Sequence, residues 1–305
     1  MIVVIGASGY LGGYTVRRLL AAGNRVRAAS RSPDRLAALG VLGAEIVRVD
    51  LVDEASMDAA CRDVDAVFVA AHSLMGVGKY ASAAVDDRGH RSLIDAARRA
   101  GVGRFVYTSA MFASSDHPVD FMRTKANVEA ALTASGLRFS ILRPSAFMEW
   151  HVHNLLGKPL VDSGKTTIFG KGITAMNFVA ADDVAAVATE VLRDPHAVGQ
   201  TVEIGGPDNV TRNDVAAMYE QRLGRSVVVR HVPLGPLRIV APAVRPFNPV
   251  IARLMDMALW GETGNQTFDF AGRRERYARP VTHVAEFVAS QFPGRSTSAA
   301  GGYAH

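Results

Sequence analysis

The chain has 305 residues, 49% hydrophobic and 21% charged, and a formal net charge of +5 with nine histidines counted neutral. That length and apolar content suit one large domain, or one domain with a smaller appended part. The basic residues are scattered in pairs (Arg17-Arg18, Arg98-Arg99, Arg273-Arg274), which describes a solvated surface and argues against a nucleic-acid binder.

Cys61 is the only cysteine, so no internal disulfide forms and a reducing compartment is natural. It lies in a helical stretch, Ser56 to Cys61, and reads as packing. No run of about 18 apolar residues occurs, and no signal peptide precedes the first strand. A soluble, cytoplasmic protein with no membrane contact is expected, as a monomer or homodimer.

In chain order, Ile2 to Ile5 is a short apolar run suited to a strand buried on both faces of a parallel sheet. Gly6, Gly9 and Gly12 follow, and Tyr14 to Ala22 reads as a helix closed by Gly23-Asn24. Strand, glycine turn and helix make a dinucleotide-binding motif. Gly6 allows a tight turn, Gly9 a close approach to pyrophosphate, and Gly12 close packing of helix on strand. The loop residues Ser8, Tyr10 and Leu11 share that site, where free helix amides meet phosphates.

Arg25 to Ser30 reads as the second strand, followed by Arg31 and Ser32 with no carboxylate. An acidic residue there binds a ribose 2′-OH, whereas an arginine accommodates a 2′-phosphate. Arg31 therefore points to NADP(H) over NAD(H). Asp34 to Leu39 reads as a short helix and Ala44 to Val49 as the third strand. Asp50 and Leu51 follow it. Asp50 either accepts from an adenine amino group or caps the helix beginning near Glu54.

Ala66 to Ala71 is a fourth strand, with Ala70 and Ala71 small enough to line a cofactor groove. His72, Ser73, Met75 and Lys79 occupy the next loop. A helix over 90–100 leads to a fifth strand, Arg104 to Ser109, and a helix over 121–135 to a sixth, Arg138 to Arg143, stopped by Pro144. Alternating units with short links predict an α/β, Rossmann-type doubly wound parallel sheet with helices on both faces. Its cleft lies at the carboxyl ends of the strands.

Beyond residue 150 the regularity fades, and a small C-terminal substrate-binding part is expected over 151–293, with elements returning to the first layer from about 175–205. Ile168 to Gly172 reads as a hairpin-like turn, Asp182 to Arg193 as a helix and Val202 to Gly206 as a strand. Thr211 with Asp214 starts another helix as a capping-box-like pair. Val227 to Val232 is a strand, Pro233 to Pro249 a loop or short helices, and Ile251 to Trp260 a methionine-rich helix. Met255, Met257 and Trp260 read as packing or a substrate lid. Ser296 to His305, within 294–305, reads as a disordered tail.

Taken together, Gly6-Ala-Ser-Gly-Tyr-Leu-Gly12, Arg31, Tyr107-Thr-Ser109, Lys125 and Leu142-Arg-Pro144 resemble the atypical short-chain dehydrogenases/reductases. More narrowly, they resemble the NmrA-like and isoflavone-reductase-like branch, over roughly residues 1 to 290. Typical members use a serine and a Tyr-x-x-x-Lys pair on one helix face. The matching stretch here is Phe121-Met-Arg-Thr-Lys125, so the tyrosine is missing and its proton transfer with it.

In the isoflavone-reductase-like branch the lysine is itself implicated as acid/base, which a buried lysine with a lowered pKa suits. Lys125 is therefore the catalytic candidate, with Ser109 beside the nicotinamide. Lys125 could also serve structure or the ribose alone. Tyr107 reads as packing. Pro144, Ser145 and Phe147 are expected to wall the nicotinamide, and His72, Met111, His117, Phe121, His151 and Trp260 to line the substrate pocket. His151 and His153 lack the partners a metal needs. The resemblance implies an NADPH-dependent reductase passing hydride to a small, hydrophobic carbonyl, quinone or conjugated double bond. It also leaves open a cofactor sensor without turnover, and more weakly a sugar-nucleotide epimerase or dehydratase.

Overall fold

The structure, a computed structural model, describes residues 1–270, 277 and 280–292. Arg273-Arg274 and the tail expected at Ser296 to His305 lie outside the described residues. The first half runs β1 (Ile2–Ile5), α1 (Tyr10–Ala21), β2 (Val26–Ser30), α2 (Ala37–Val41), β3 (Glu45–Arg48), α3 (Glu54–Cys61), β4 (Ala66–Val69), α4 (His90–Arg99), β5 (Arg104–Thr108), α5 (Asp120–Ala134) and β6 (Phe139–Pro144). The rest runs β7 (Ala146–Phe147), α6 (Lys158–Ser163), β8 (Lys165–Phe169), β9 (Met176–Val179), α7 (Ala181–Arg193), β10 (Thr201–Ile204), β11 (Asn209–Val210), α8 (Arg212–Leu223), β12 (Val228–Val232), α9 (Gly235–Val244), α10 (Pro249–Thr263) and α11 (Val284–Ser290).

Seven strands form one parallel sheet in the order β10-β6-β5-β4-β1-β2-β3. Chain direction across the sheet reverses between β1 and β4, and that switch point opens the cleft. Side chains alternate faces along each strand. Val4, Phe68, Val106 and Leu142 pack on one face with Val16 and Leu19 of α1 and Val184 and Ala188 of α7. Val3, Ile5, Val67, Val69 and Tyr107 pack on the other with Met57 and Cys61 of α3, Leu93 of α4 and Val128 and Leu132 of α5. Each of the valine, leucine, isoleucine, phenylalanine and methionine side chains among them contributes about 1.5–3 kcal/mol when fully buried. This is the Rossmann-type sheet with helices on both faces.

The C-terminal part carries its own core of Met148, Val152, Phe178, Val215, Tyr219 and Val288. Thr211 and Asp214 form the full reciprocal capping box of α8. No helix among the described residues is long and apolar enough to cross a membrane.

Three local expectations change. First, α1 begins at Tyr10 rather than Tyr14, with Gly9 as its N-cap. Glycine is a poor helix former, but a Cβ on Gly12 would sit 2.3 Å from the Gly6 carbonyl oxygen. The bare backbone is what lets the helix start inside the glycine motif. Second, Ile168 to Gly172 is no hairpin. β8 pairs in parallel with β12, some sixty residues later. Gly170 and Gly172, at φ +89° and +68°, only turn the chain out of β8. Third, β6 runs through Pro144 instead of stopping before it, in register with Ile204. Proline offers no N–H, yet its carbonyl still accepts from Met111 N at 2.9 Å.

Replacing Gly12→Ala forces the Gly6 turn and α1 apart. A loss of about 1–3 kcal/mol is expected from overpacking against backbone. Thermal melting of the cofactor-free protein measures it, and an unmoved midpoint contradicts this account.

Candidate functional site

The loops at the carboxyl ends of β1, β2, β4, β5 and β6 build one cleft. At its centre Gly6 (φ +88°) lies against β4, where a Cβ would come within 2.7 Å of Ala71 N. Gly6 N and Ala7 N both donate to the Ala29 carbonyl at 3.0 Å, which fastens the turn to β2. Gly9 differs from its neighbours. A Cβ there would meet only the Gly6 carbonyl oxygen, at an ordinary 3.5 Å. No protein atom requires a glycine at this place. With no side-chain cap on α1, its first amides remain open to an anion. Leu11 is buried, whereas Tyr10 is exposed and reaches Asn154 at 3.3 Å.

Ser30 donates to Ser8 Oγ at 2.9 Å and accepts from Ser32 N, tying the glycine turn to the end of β2. Arg31 follows, exposed, and has no carboxylate partner among the described residues. Its guanidinium lies over the Tyr80 ring, 4.2 Å from the centroid. The Tyr80 phenol donates to Asp50 Oδ2 at 3.0 Å. Asp50 is buried and also accepts from Val52 N. The helix-capping alternative for Asp50 is thereby corrected, because Asp53 caps α3 through Ser56 N. Asp53 is the residue immediately before the first helical turn, where a carboxylate can reach its amides. Leu51 is buried beside it, and Ala70 continues the ladder through Ala70 N to the Ile5 carbonyl. Tyr80 was not legible as a site residue, since nothing local marks an aromatic in a loop as the platform for an arginine fifty residues earlier.

On the other side of the switch point, α5 presents Lys125. It is 4% exposed and donates to the Thr108 carbonyl at 3.0 Å. Its Nζ lies 4.8 Å from the Tyr107 ring centroid and 5.5 Å from that of Phe121. Burial pushes the ammonium down to about 8, opposed by the negative charges of Asp86 and then Glu129. Tyr107 is fully buried, and burial raises its phenol well above the usual value, so it stays neutral. Ser109 ends β5 with its amide on the Leu142 carbonyl at 2.7 Å. The Ser109 and Ser145 hydroxyls are buried and have no hydrogen-bond partner among the described residues. Phe147 packs against the core under α1 and α7.

Phe121, where the resemblance expects tyrosine, faces His72 edge-on at 6.1 Å. Met111 is buried. His117 accepts from Val119 N, and its ring meets Trp260 at 4.7 Å. Burial lowers its pKa, and its Nε2 has no partner among the described residues. Phe112 also contacts Trp260 and holds φ +68°, a costly conformation for a phenylalanine. His72, His117, Phe121 and Trp260 therefore come together. His151 stands on a π-helical segment (Glu149–Gly157), with Phe178 and Arg212 as neighbours. Burial and the Arg212 charge lower it to about 4. His153 bonds Tyr219. Among the described residues no group of three or more metal-type side chains gathers.

α10 roofs this cleft through Arg253, which the sequence reading missed. Its buried guanidinium takes both Asp120 oxygens at 2.7 and 2.9 Å and the Leu74 carbonyl at 2.7 Å. The available signal was a lone arginine inside an apolar, methionine-rich stretch.

An open cradle at Gly9, an unpaired Arg31 and two orphaned buried hydroxyls fit a dinucleotide across the switch point. Comparison with known proteins accords with this. The chain is 30% identical to a (4-alkanoyl-5-oxo-2,5-dihydrofuran-3-yl)methyl phosphate reductase of Streptomyces griseus, covering 95% of this chain and 97% of that one. It superposes on the NADPH complex of an Escherichia coli NADPH-dependent quinone oxidoreductase with TM-score 0.73 at 25% identity, over 95% and 99% of the two chains. A Citrobacter triphenylmethane reductase complexed with NADP(H) shares the fold, with TM-score 0.74 at 20% identity, over 95% and 99%. Residues 1–277 match the NmrA-like family, and the chain belongs to it.

Proposed function

We propose that the protein is an NADPH-dependent reductase of small apolar carbonyls, quinones or conjugated double bonds. The observation that carries this reading is Lys125, an ammonium buried at the cleft floor, depressed to about 8 and hydrogen-bonded to one backbone carbonyl. A bound nicotinamide would supply hydride at its C4. Gly9 and the first turn of α1 hold the pyrophosphate. Arg31, propped on Tyr80, holds the ribose 2′-phosphate. The orphaned Ser109 and Ser145 hydroxyls turn to the nicotinamide side, walled by Pro144 and Phe147.

Lys125 gives the proton. As hydride reaches the acceptor carbon, an N–H bond of the ammonium breaks and its proton passes to the substrate oxygen, or to the carbon distal to the hydride. The amine left behind is reprotonated from water. Trp260, Phe121 and His117 exclude solvent and stack against an apolar substrate. The family relatives named above as reductases support this assignment. One observation favours a sensor without turnover instead, namely Phe121 in place of the family tyrosine. Lys125 answers it by offering a second acid.

Purified protein should consume NADPH against a panel of quinones and enones. Lys125→Met is expected to lower kcat by about 10²–10⁴-fold. Turnover should fall as pH rises through about 8, because above that value the amine has no proton to give. No NADPH consumption across the panel would sink the reading.

Two binding variants test the cofactor half. Arg31→Ala removes a charge-assisted contact of about 1.5–3 kcal/mol, so the KM for NADPH should rise about 10–100-fold while that for NADH stays put. Gly9→Ala should leave the melting point of the free protein in place and weaken NADPH binding at least about tenfold, read by fluorescence titration. Equal losses for both cofactors on Arg31→Ala would remove the preference for NADPH.

A further inference from the structure

Asp86 is the most deeply buried carboxylate near the cleft, with no exposed surface. It stands on a π-helical turn, Ala83–Gly89, immediately before α4. Such turns re-aim side chains and recur at functional sites. Its Oδ1 accepts from Ser73 N at 2.7 Å and its Oδ2 from the Ser82 hydroxyl at 2.6 Å. Both donors are neutral. A buried carboxylate is costly unless a cation compensates it, yet among the described residues no cationic side chain stands at ion-pair distance from Asp86.

Lys125 has the complementary problem. Among the described residues its one hydrogen bond goes to a neutral carbonyl. Glu129, on the same helix, is already spent on Arg143, which grips it through two bonds. The remaining groups around Lys125 carry no usable charge. His90 of α4 is bonded to the Val85 carbonyl and held down to about 4, and the Tyr107 phenol of β5 is held neutral. His72, in the loop after β4, is likewise pushed toward its neutral form, by burial and then by Lys125. The same groups face Asp86, and Asp87 beside it is taken by Arg91. The turn that carries Asp86 packs against α5. His90 at the end of that turn and Lys125 both lie against the Tyr107 ring, at 5.4 and 4.8 Å. One buried anion and one buried cation thus remain in the same region, neither with a charged partner at ion-pair distance among the described residues.

We propose that Asp86 is the counter-ion of Lys125, a positioning residue that holds the lysine in its proton-bearing form and draws a proton back after each transfer. This rests on the reductase reading for its kinetic consequence, though the coupling itself does not. When the ammonium has given its proton, the site keeps a bare buried anion, which favours return of a proton from water to the amine.

The test is Asp86→Asn, which keeps an acceptor for Ser73 N and loses the charge. The pH at which kcat falls should move down by about one unit or more, so that turnover at pH 8 drops about fivefold or more while the KM for NADPH is unchanged. Asp86→Glu should restore the original profile. An unmoved profile in Asp86→Asn overturns the proposal.

A stability cycle reads the coupling without turnover. Asp86→Asn strands a buried ammonium, so adding Lys125→Met should recover melting temperature, or folding itself if the single variant fails to fold. A double variant no more stable than Asp86→Asn, or still unfolded, also overturns it. If wild-type protein consumes no NADPH while the cycle shows coupling, the reductase reading fails and the coupling of Asp86 to Lys125 stands.

Discussion

Three stretches of bare backbone meet at one point, and the site depends on that meeting. The Gly6 turn touches Ala71 at the end of β4 on one side and Gly12 of α1 on the other, at separations a Cβ would close to 2.7 and 2.3 Å. No side chain fits either gap. The contact sets the first turn of α1 directly over the β1–β4 switch point, where the loops after β4, β5 and β6 also converge. Further along, Arg18 of α1 grips Asp182 of α7 through two 2.7 Å bonds. Both partners are well exposed, so that pair is worth at most about 1 kcal/mol and cannot be what places the helix. Backbone packing does.

What the sequence made legible follows from local physics. Apolar runs of four or five residues ended by glycine or serine became the buried strands, and the spacing of three in the glycine motif became the turn. Lys125 four residues after Phe121 put both on one face of α5, as helical geometry requires. What stayed hidden depends on partners far along the chain. β8 finds β12, Arg253 finds Asp120 at a separation of 133 residues, and Arg31 finds Tyr80. Each is a long-range contact with no periodic or turn signature. The π-helical turn that carries His151 toward Phe178 and Arg212 had no signature in the sequence either.

Phe121 and the depressed lysine are two aspects of one arrangement. A phenylalanine ring 5.5 Å from Nζ supplies a polarizable face but no hydroxyl. The ammonium loses a hydrogen-bonding neighbour and is left among aromatic rings and a single carbonyl. Desolvation then outweighs the anionic influence of Asp86 and Glu129, and the group settles near 8. A lysine in that range has the acidity that the proposed proton transfer asks for.

The same helix links that acid to the pocket roof. Asp120 opens α5, and Phe121 and Lys125 follow within two turns. Arg253 is buried whereas Asp120 is about two-fifths exposed, so their bond is asymmetric. Without the carboxylate, the guanidinium would remain in the interior with only the Leu74 carbonyl, a situation that typically costs about 3–5 kcal/mol. That penalty keeps α10 seated while leaving solvent access at the Asp120 side. Trp260, carried by α10, is thereby held against His117 and Phe112. Phe121, Asp120 and Lys125 all take their positions from α5, so any displacement of that helix moves the apolar wall, the latch on Arg253 and the proposed acid together.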